Sequence, residues 1–143
     1  MIEVRDLMYG NLIETKDGIV EVGKIHRDSV ADKWGGIYFD DEIEGIEVTT
    51  ELLEKIGFEE RILGKGVNGG EDWVDYIFRP ESYKLEVCDH GGYVCDKKWH
   101  VHIDNAEFES LGGGYFTYLH ELMNLVRVIS GFEFKITKDM LYD

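Results

Sequence analysis

Between Tyr115 and Ile136 the apolar side chains keep the period of a helix and then stop. Tyr115, Tyr118, Leu119, Leu122, Leu125, Val126 and Ile129 fall at i, i+3, i+4, i+7, i+10, i+11 and i+14, one stripe of a 3.6-residue helix. Ser130 and Gly131 end the run. Gly131 suits the left-handed position after a helix, and Phe132 is placed to pack back on the last turn. The spacing predicts a helix over 115–130 whose stripe covers a sheet. Phe132, Phe134 and Ile136 then alternate as in a short strand. A second helix is predicted near 50–57. Thr49 is its N-cap, Glu51 lies in the first turn where a carboxylate favours the helix dipole, and Leu52, Leu53 and Ile56 face inward before Gly57-Phe58 stops it.

Elsewhere the pattern is that of strands. Residues 11–15 and 19–26 flank Lys16-Asp17-Gly18 and predict a β-hairpin, because Asp-Gly supplies the positive φ of a tight turn. Ile37–Phe39 and Glu42–Val48 predict a third and a fourth strand. Short strands following the Gly10-Asn11 turn suggest an SH3-like barrel portion. Trp73–Phe78, Tyr83–Cys88, Tyr93–Cys95 and Trp99–Ile103 predict a β-meander, with turns at Arg79-Pro80-Glu81, Asp89-His90-Gly91-Gly92 and Asp96-Lys97-Lys98. The glycine-rich stretch 64–70 reads as a surface loop. Together these elements predict an antiparallel, β-rich α+β chain, and 143 residues suit one domain with a sizeable core.

The run Tyr118-Leu119-His120-Glu121-Leu122, followed by Asn124-Leu125 and a helix ending in glycine, resembles the C-terminal helix of a family of short uncharacterised proteins of gut Bacteroidetes and their phages. Two earlier pieces are similar to the same family in the same order: Leu7 to Ile13 around Gly10-Asn11, and Glu42 to Phe58 with Thr49-Thr50-Glu51-Leu52-Leu53 at its centre. Met8-Tyr9 before Gly10 departs from the family's basic-apolar form. The Cys- and His-bearing residues between the pieces do not match it. The resemblance implies a fold and a mobile-element setting, and carries no activity with it.

Charge narrows the function classes. Thirty acidic against 15 basic side chains give −15, which opposes any hold on a phosphate backbone and argues against direct binding of DNA or RNA. Residues 1–60 hold six basic and 16 acidic side chains, so the N-terminal part is the acidic pole. No apolar run approaches the ~20 residues that span a bilayer. The first residues mix charge with apolar positions, predicting no signal peptide and a cytoplasmic location. In that setting Cys88 and Cys95 are expected as reduced thiols.

Four groupings could carry chemistry. Cys88, Cys95, His100 and His102 contain the ligand types that zinc takes, and on a strand His100, His102 and Asp104 share one face. Their spacing matches no standard zinc ribbon or finger, so a wet sheet face is the plainer account and no metal or cofactor is expected. Gly112-Gly113-Gly114 before a helix could present N–H groups to an anion, but the Gly-Lys-Ser/Thr of a phosphate loop is missing. His120 and Asn124, at i and i+4, suit a polar contact to neighbouring strands. Asp40, Asp41, Glu42, Glu44 and Glu47 form the densest acidic run, without the glycine placement of a calcium loop. The reading that follows is a small non-enzymatic protein that binds a protein partner, with that acidic run as the docking surface and a basic partner favoured. A nucleic-acid mimic that inhibits a DNA- or RNA-binding protein is one alternative. A zinc-binding domain or metal-dependent hydrolase built on the Cys and His residues is the other.

Overall fold

A computed structural model of the chain describes residues 2–64, 66, 73–89 and 96–142. Within them two antiparallel sheets of five strands each are joined with two α-helices, an α+β architecture. The first sheet contains β1 (Leu12–Thr15), β2 (Gly18–Ile25), β3 (Ser29–Asp32), β4 (Ile37–Phe39) and β5 (Ile43–Glu44), in the order β4-β3-β2-β1-β5. The hairpin forms where Asp-Gly predicts it, with Thr15 opposite Gly18 and Gly18 at φ 98°. β3 was not anticipated, because its four residues are too few to show a period. The strand expected over 42–48 shortens to Ile43–Glu44.

A three-residue 3-10 turn, Asp40–Glu42, connects β4 to β5 although these are opposite edges of the sheet. Strands spaced about 4.8 Å apart would put the edges of a flat five-stranded sheet about 19 Å from each other. Residues of a 3-10 turn rise only about 2 Å each. The sheet therefore curls until its edges approach at that end. No ladder joins β4 to β5, and the sheet stays open.

The second sheet is a meander of β6 (Glu59–Gly64), β7 (Trp73–Phe78), β8 (Tyr83–Asp89), β9 (Trp99–Asn105) and β10 (Ser110–Phe116), each paired with its sequence neighbours. β6 was missed because its burial does not alternate. β10 corrects the expected start of the C-terminal helix: Gly112 to Phe116 are strand residues opposite β9. The helix α2 begins only at Leu119 and runs to Ser130. Its start is fixed by Glu121, whose carboxylate accepts hydrogen bonds from the N–H groups of Thr117 and Tyr118, both at 3.1 Å. The expected strand Tyr93–Cys95, most of the loop at 64–70 and all but Asp89 of the turn at 89–92 lie outside the described residues.

The first helix, α1 (Thr50–Ile56), matches its prediction closely. The Thr49 hydroxyl accepts from Leu52 N–H at 3.1 Å, and the N–H groups of Gly57 and Phe58 both donate to the Leu53 carbonyl. In α2, Leu119, Leu122 and Val126 are fully buried, while Ile129 is half-buried at the margin of the same core. Gly131 takes the left-handed conformation at φ 80°. Phe132, Phe134 and Ile136 form no ladder. Phe134 instead packs with Phe58 and Phe78 in an aromatic cluster under α1.

Leu12 and Ile19 of the first sheet share one core with Leu85, Val87, Val101, Ile103 and the buried stripe of α2. A second, smaller core of Ile13, Val22, Val30, Tyr38 and Ile43 lies on the opposite face of the first sheet. The backbone between β5 and α1 stitches the sheets together: Val48 N–H donates to the Thr117 carbonyl at 3.0 Å and Leu119 N–H to the Ile46 carbonyl at 2.8 Å. The indole N–H of Trp99 donates to the Val48 carbonyl at 3.1 Å.

Candidate functional site

The acidic run divides into carboxylates that hold the fold and carboxylates that do not. Asp40 accepts from Val4 N–H at 2.8 Å and so fixes the N-terminal 3-10 turn, Val4–Asp6. Glu42 accepts from Phe39 N–H at 3.2 Å and pairs with Lys16 at 3.1 Å, which holds its carboxyl below the usual carboxylate range. Asp41, Glu44 and Glu47 are exposed and make no such bonds among the described residues. Glu14, which the local charge run did not reveal, joins them because β1 pairs with β5. Glu14 stands directly opposite Glu44 in the ladder, and Glu14 and Glu44 line two adjoining surface hollows of about 550 and 470 Å3. Neither has a cationic partner among the described residues. Like charges directly opposite on paired strands are destabilising.

The outer face of the second sheet is built differently. The alternation of β9 holds as expected, with Trp99, Val101 and Ile103 buried and His100, His102 and Asp104 on the other face. There Arg61 donates two hydrogen bonds to the nearly buried Asp75, at 3.0 and 2.7 Å. Lys84 meets Glu86 at 2.7 Å, and His102 Nε2 lies 2.8 Å from Asp104 Oδ1. Cys88 is opposite His100, and the His100 ring stacks edge-on to Tyr115 with centroids 4.8 Å apart. Burial pushes the Cys88 thiol up, and Asp75, Asp89 and Glu86 push it further. A thiol kept protonated is a poor nucleophile and a poor metal ligand. Cys95 lies outside the described residues, and among those described no three His, Cys, Asp or Glu side chains are grouped to hold a metal ion.

Gly112-Gly113-Gly114 does not open a helix. A Cβ on Gly114 would come 2.7 Å from Leu125 Cδ2, so the glycine lets α2 lie close against β10. Its role is packing. Asn124 bonds to the buried Asn11 through both amide groups, at 2.8 and 3.2 Å, as a polar seam between α2 and the start of β1. His120 is 2% exposed, its ring stacks on Tyr118, and its Nδ1 has no hydrogen-bond partner among the described residues. Burial lowers its pKa, so the imidazole is neutral.

No family model, curated protein or solved structure matches this chain.

Two features escaped the sequence reading. Glu14 becomes part of the acidic surface only through the β1–β5 register. Trp34 is 92% exposed on the turn between β3 and β4. The signal for Trp34 was present in Asp32-Lys33-Trp34-Gly35-Gly36, where an aromatic residue is set among turn formers and cannot be core. Its backbone is held in place: Asp32 Oδ1 accepts from the N–H groups of Trp34 and Gly36, both at 2.8 Å.

Proposed function

We propose that this chain is a non-enzymatic binding protein whose acidic surface on the first sheet receives a basic protein partner. The observation that carries the reading is the exposed ladder pair Glu14 and Glu44, bordered by Asp41 and Glu47. Two carboxylates opposed in this way cost stability in the isolated chain, and a lysine or arginine of a partner laid between them removes that cost. The net charge of −15 extends the attraction and accelerates encounter with a cationic surface. A mobile-element setting, implied by the sequence resemblance, belongs to the same reading.

The first sheet is on this reading an SH3-like barrel portion. The strand order β4-β3-β2-β1-β5 supports it, as does the 3-10 turn just before β5. So does Tyr38, whose hydroxyl donates to Asp17 Oδ2 at 3.0 Å and thereby ties the β1–β2 turn to β4.

The test is a triple reversal, Asp41→Lys with Glu44→Lys and Glu47→Lys. All three side chains are exposed, so the variant folds. Proteins retained by the native chain at low salt are released by the variant, and native retention weakens as salt rises. Equal retention by both proteins at low and high salt would reduce the acidic surface to a solvating one and remove this function.

A further inference from the structure

Beside the acidic hollows, on the same face of the first sheet, lies an apolar one. Leu12 and Ile19 form its floor, Ile136 a wall, and Trp34, Lys33 and Lys138 part of its rim, around a volume of about 340 Å3. That is within the range of pockets that receive a ligand or an anchoring side chain. Lys33 is taken up by a salt bridge to Glu21. On the rim the indole of Trp34 lies in water, on a turn whose backbone is fixed by Asp32. A large aromatic side chain presented from a fixed backbone beside an apolar floor has the composition of an interface hot spot.

The register fixes how the two kinds of hollow are related. Glu44 is opposite Glu14, and Glu14 is opposite Ile19, so the three form one row across β5, β1 and β2. Residues directly opposite in a ladder point to the same face. With strands about 4.8 Å apart, the step from Glu44 to Ile19 is about 10 Å, or about three residues of extended chain. One short segment can therefore place a cation between Glu14 and Glu44 and an apolar side chain on Leu12 and Ile19.

We propose that the partner recognised here is an extended protein segment carrying a basic residue about three positions from an apolar anchor, the anchor seated against Trp34. This rests on the acidic-surface reading above and adds the anchor and its spacing. Charge complementarity names the occupant: the carboxylates at one end of the row take the cation. The hollow at the other end is lined by Glu21 and Asp32 as well as Lys33 and Lys138, so its charge is balanced and the pull on a cation is concentrated between Glu14 and Glu44.

Three synthetic peptides test it by calorimetric titration of the full chain at low salt. The first carries Arg-Arg and, three residues on, Leu. The second has Ser in place of Leu, and the third separates Arg-Arg from Leu by eight residues. The first peptide is expected to bind at least ten-fold tighter than the other two. Trp34→Ala brings it to the level of the second while leaving the second unchanged, and Glu44→Lys weakens all three. Equal binding of the three peptides, or a first peptide indifferent to Trp34→Ala, overturns the anchor and its spacing and leaves the acidic surface standing. Failure of every peptide to bind, or binding indifferent to Glu44→Lys, overturns both. A second copy of the chain is the competing occupant. Concentration-dependent dimerisation in sedimentation that Trp34→Ala abolishes would assign the hollow to self-contact and overturn the peptide.

Discussion

The two sheets are alike in strand number and antiparallel pairing, and they treat charge in opposite ways. On the outer face of the second sheet acids are paired from within the chain: Arg61 with Asp75 and Lys84 with Glu86 as ion pairs, and His102 with Asp104 through a hydrogen bond. On the first sheet Glu14 faces Glu44, and the exposed acids nearby are left to water. A face neutralised from within has little left to offer a charged molecule. A face that repels itself gains when an opposite charge arrives.

The comparison can be broken most severely at the shared core. Leu122→Ala removes a fully buried side chain between α2 and the second sheet and is expected to cost about 2–5 kcal/mol in urea denaturation. A loss below about 1 kcal/mol would mean that α2 does not depend on the sheet beneath it. Next in size is Asp75→Asn, which strips the charge from the pair with Arg61 and is expected to cost about 1–3 kcal/mol. An unchanged midpoint would show that pairing on this face is incidental to stability.

A third expectation concerns pH. His120 has its pKa lowered by burial, so the unfolded chain binds its proton more readily than the folded one. Its contribution is complete above the unfolded value of about 6.5 and is lost as pH falls below that value, at up to about 1.4 kcal/mol per pH unit. Burial alone would raise the Glu121 carboxyl, but Lys97 and the N–H groups of Tyr118 and Thr117 outweigh it and hold it low. Stability from Glu121 is therefore present above about pH 4.5 and declines as the pH falls through its folded value. Denaturation midpoints at pH 7.5, 6.5 and 5.5 should step downward in the native chain and level out in His120→Phe. A step that persists in the variant would assign it to other groups.

The smallest effect sharpens the contrast most. Glu44→Lys turns the repulsive ladder pair into an attractive one and is expected to stabilise the chain by about 0.2–1 kcal/mol while weakening capture of a cationic partner. A destabilised Glu44→Lys would mean that Glu14 and Glu44 do not repel one another in the folded protein.

Much of the architecture was legible where local chemistry decides it. Thr49, Gly57 and Gly131 mark helix ends through bonds to residues a few positions away, and the Asp17-Gly18 turn needs only its own backbone. The buried positions Leu119, Leu122 and Val126 follow from period alone. β10 was not legible, because Gly112 to Phe116 owe their extended form to β9 and to the close approach of α2, and an aromatic pair next to a helical stripe looks like its first turn. The acidic surface was half legible. Its run from Asp40 to Glu47 is visible in order along the chain, but the commitment of Asp40 to Val4 and the arrival of Glu14 are products of folding.

The stitch of residues 46–48 to 117–119 also sets an order of events on the ribosome. The second sheet, and β1 to β4 of the first, are joined by neighbours in sequence and can form as their strands emerge, at the low loop-closure cost that local pairing carries, after which β5 closes onto β1. The bonds from Val48 to Thr117 and from Leu119 to Ile46 cannot close until residues 117–119 have left the exit tunnel. Until then the floor residues Leu12 and Ile19 lack the helix that completes their core, and a nascent chain halted before α2 is the form most exposed to aggregation and proteolysis.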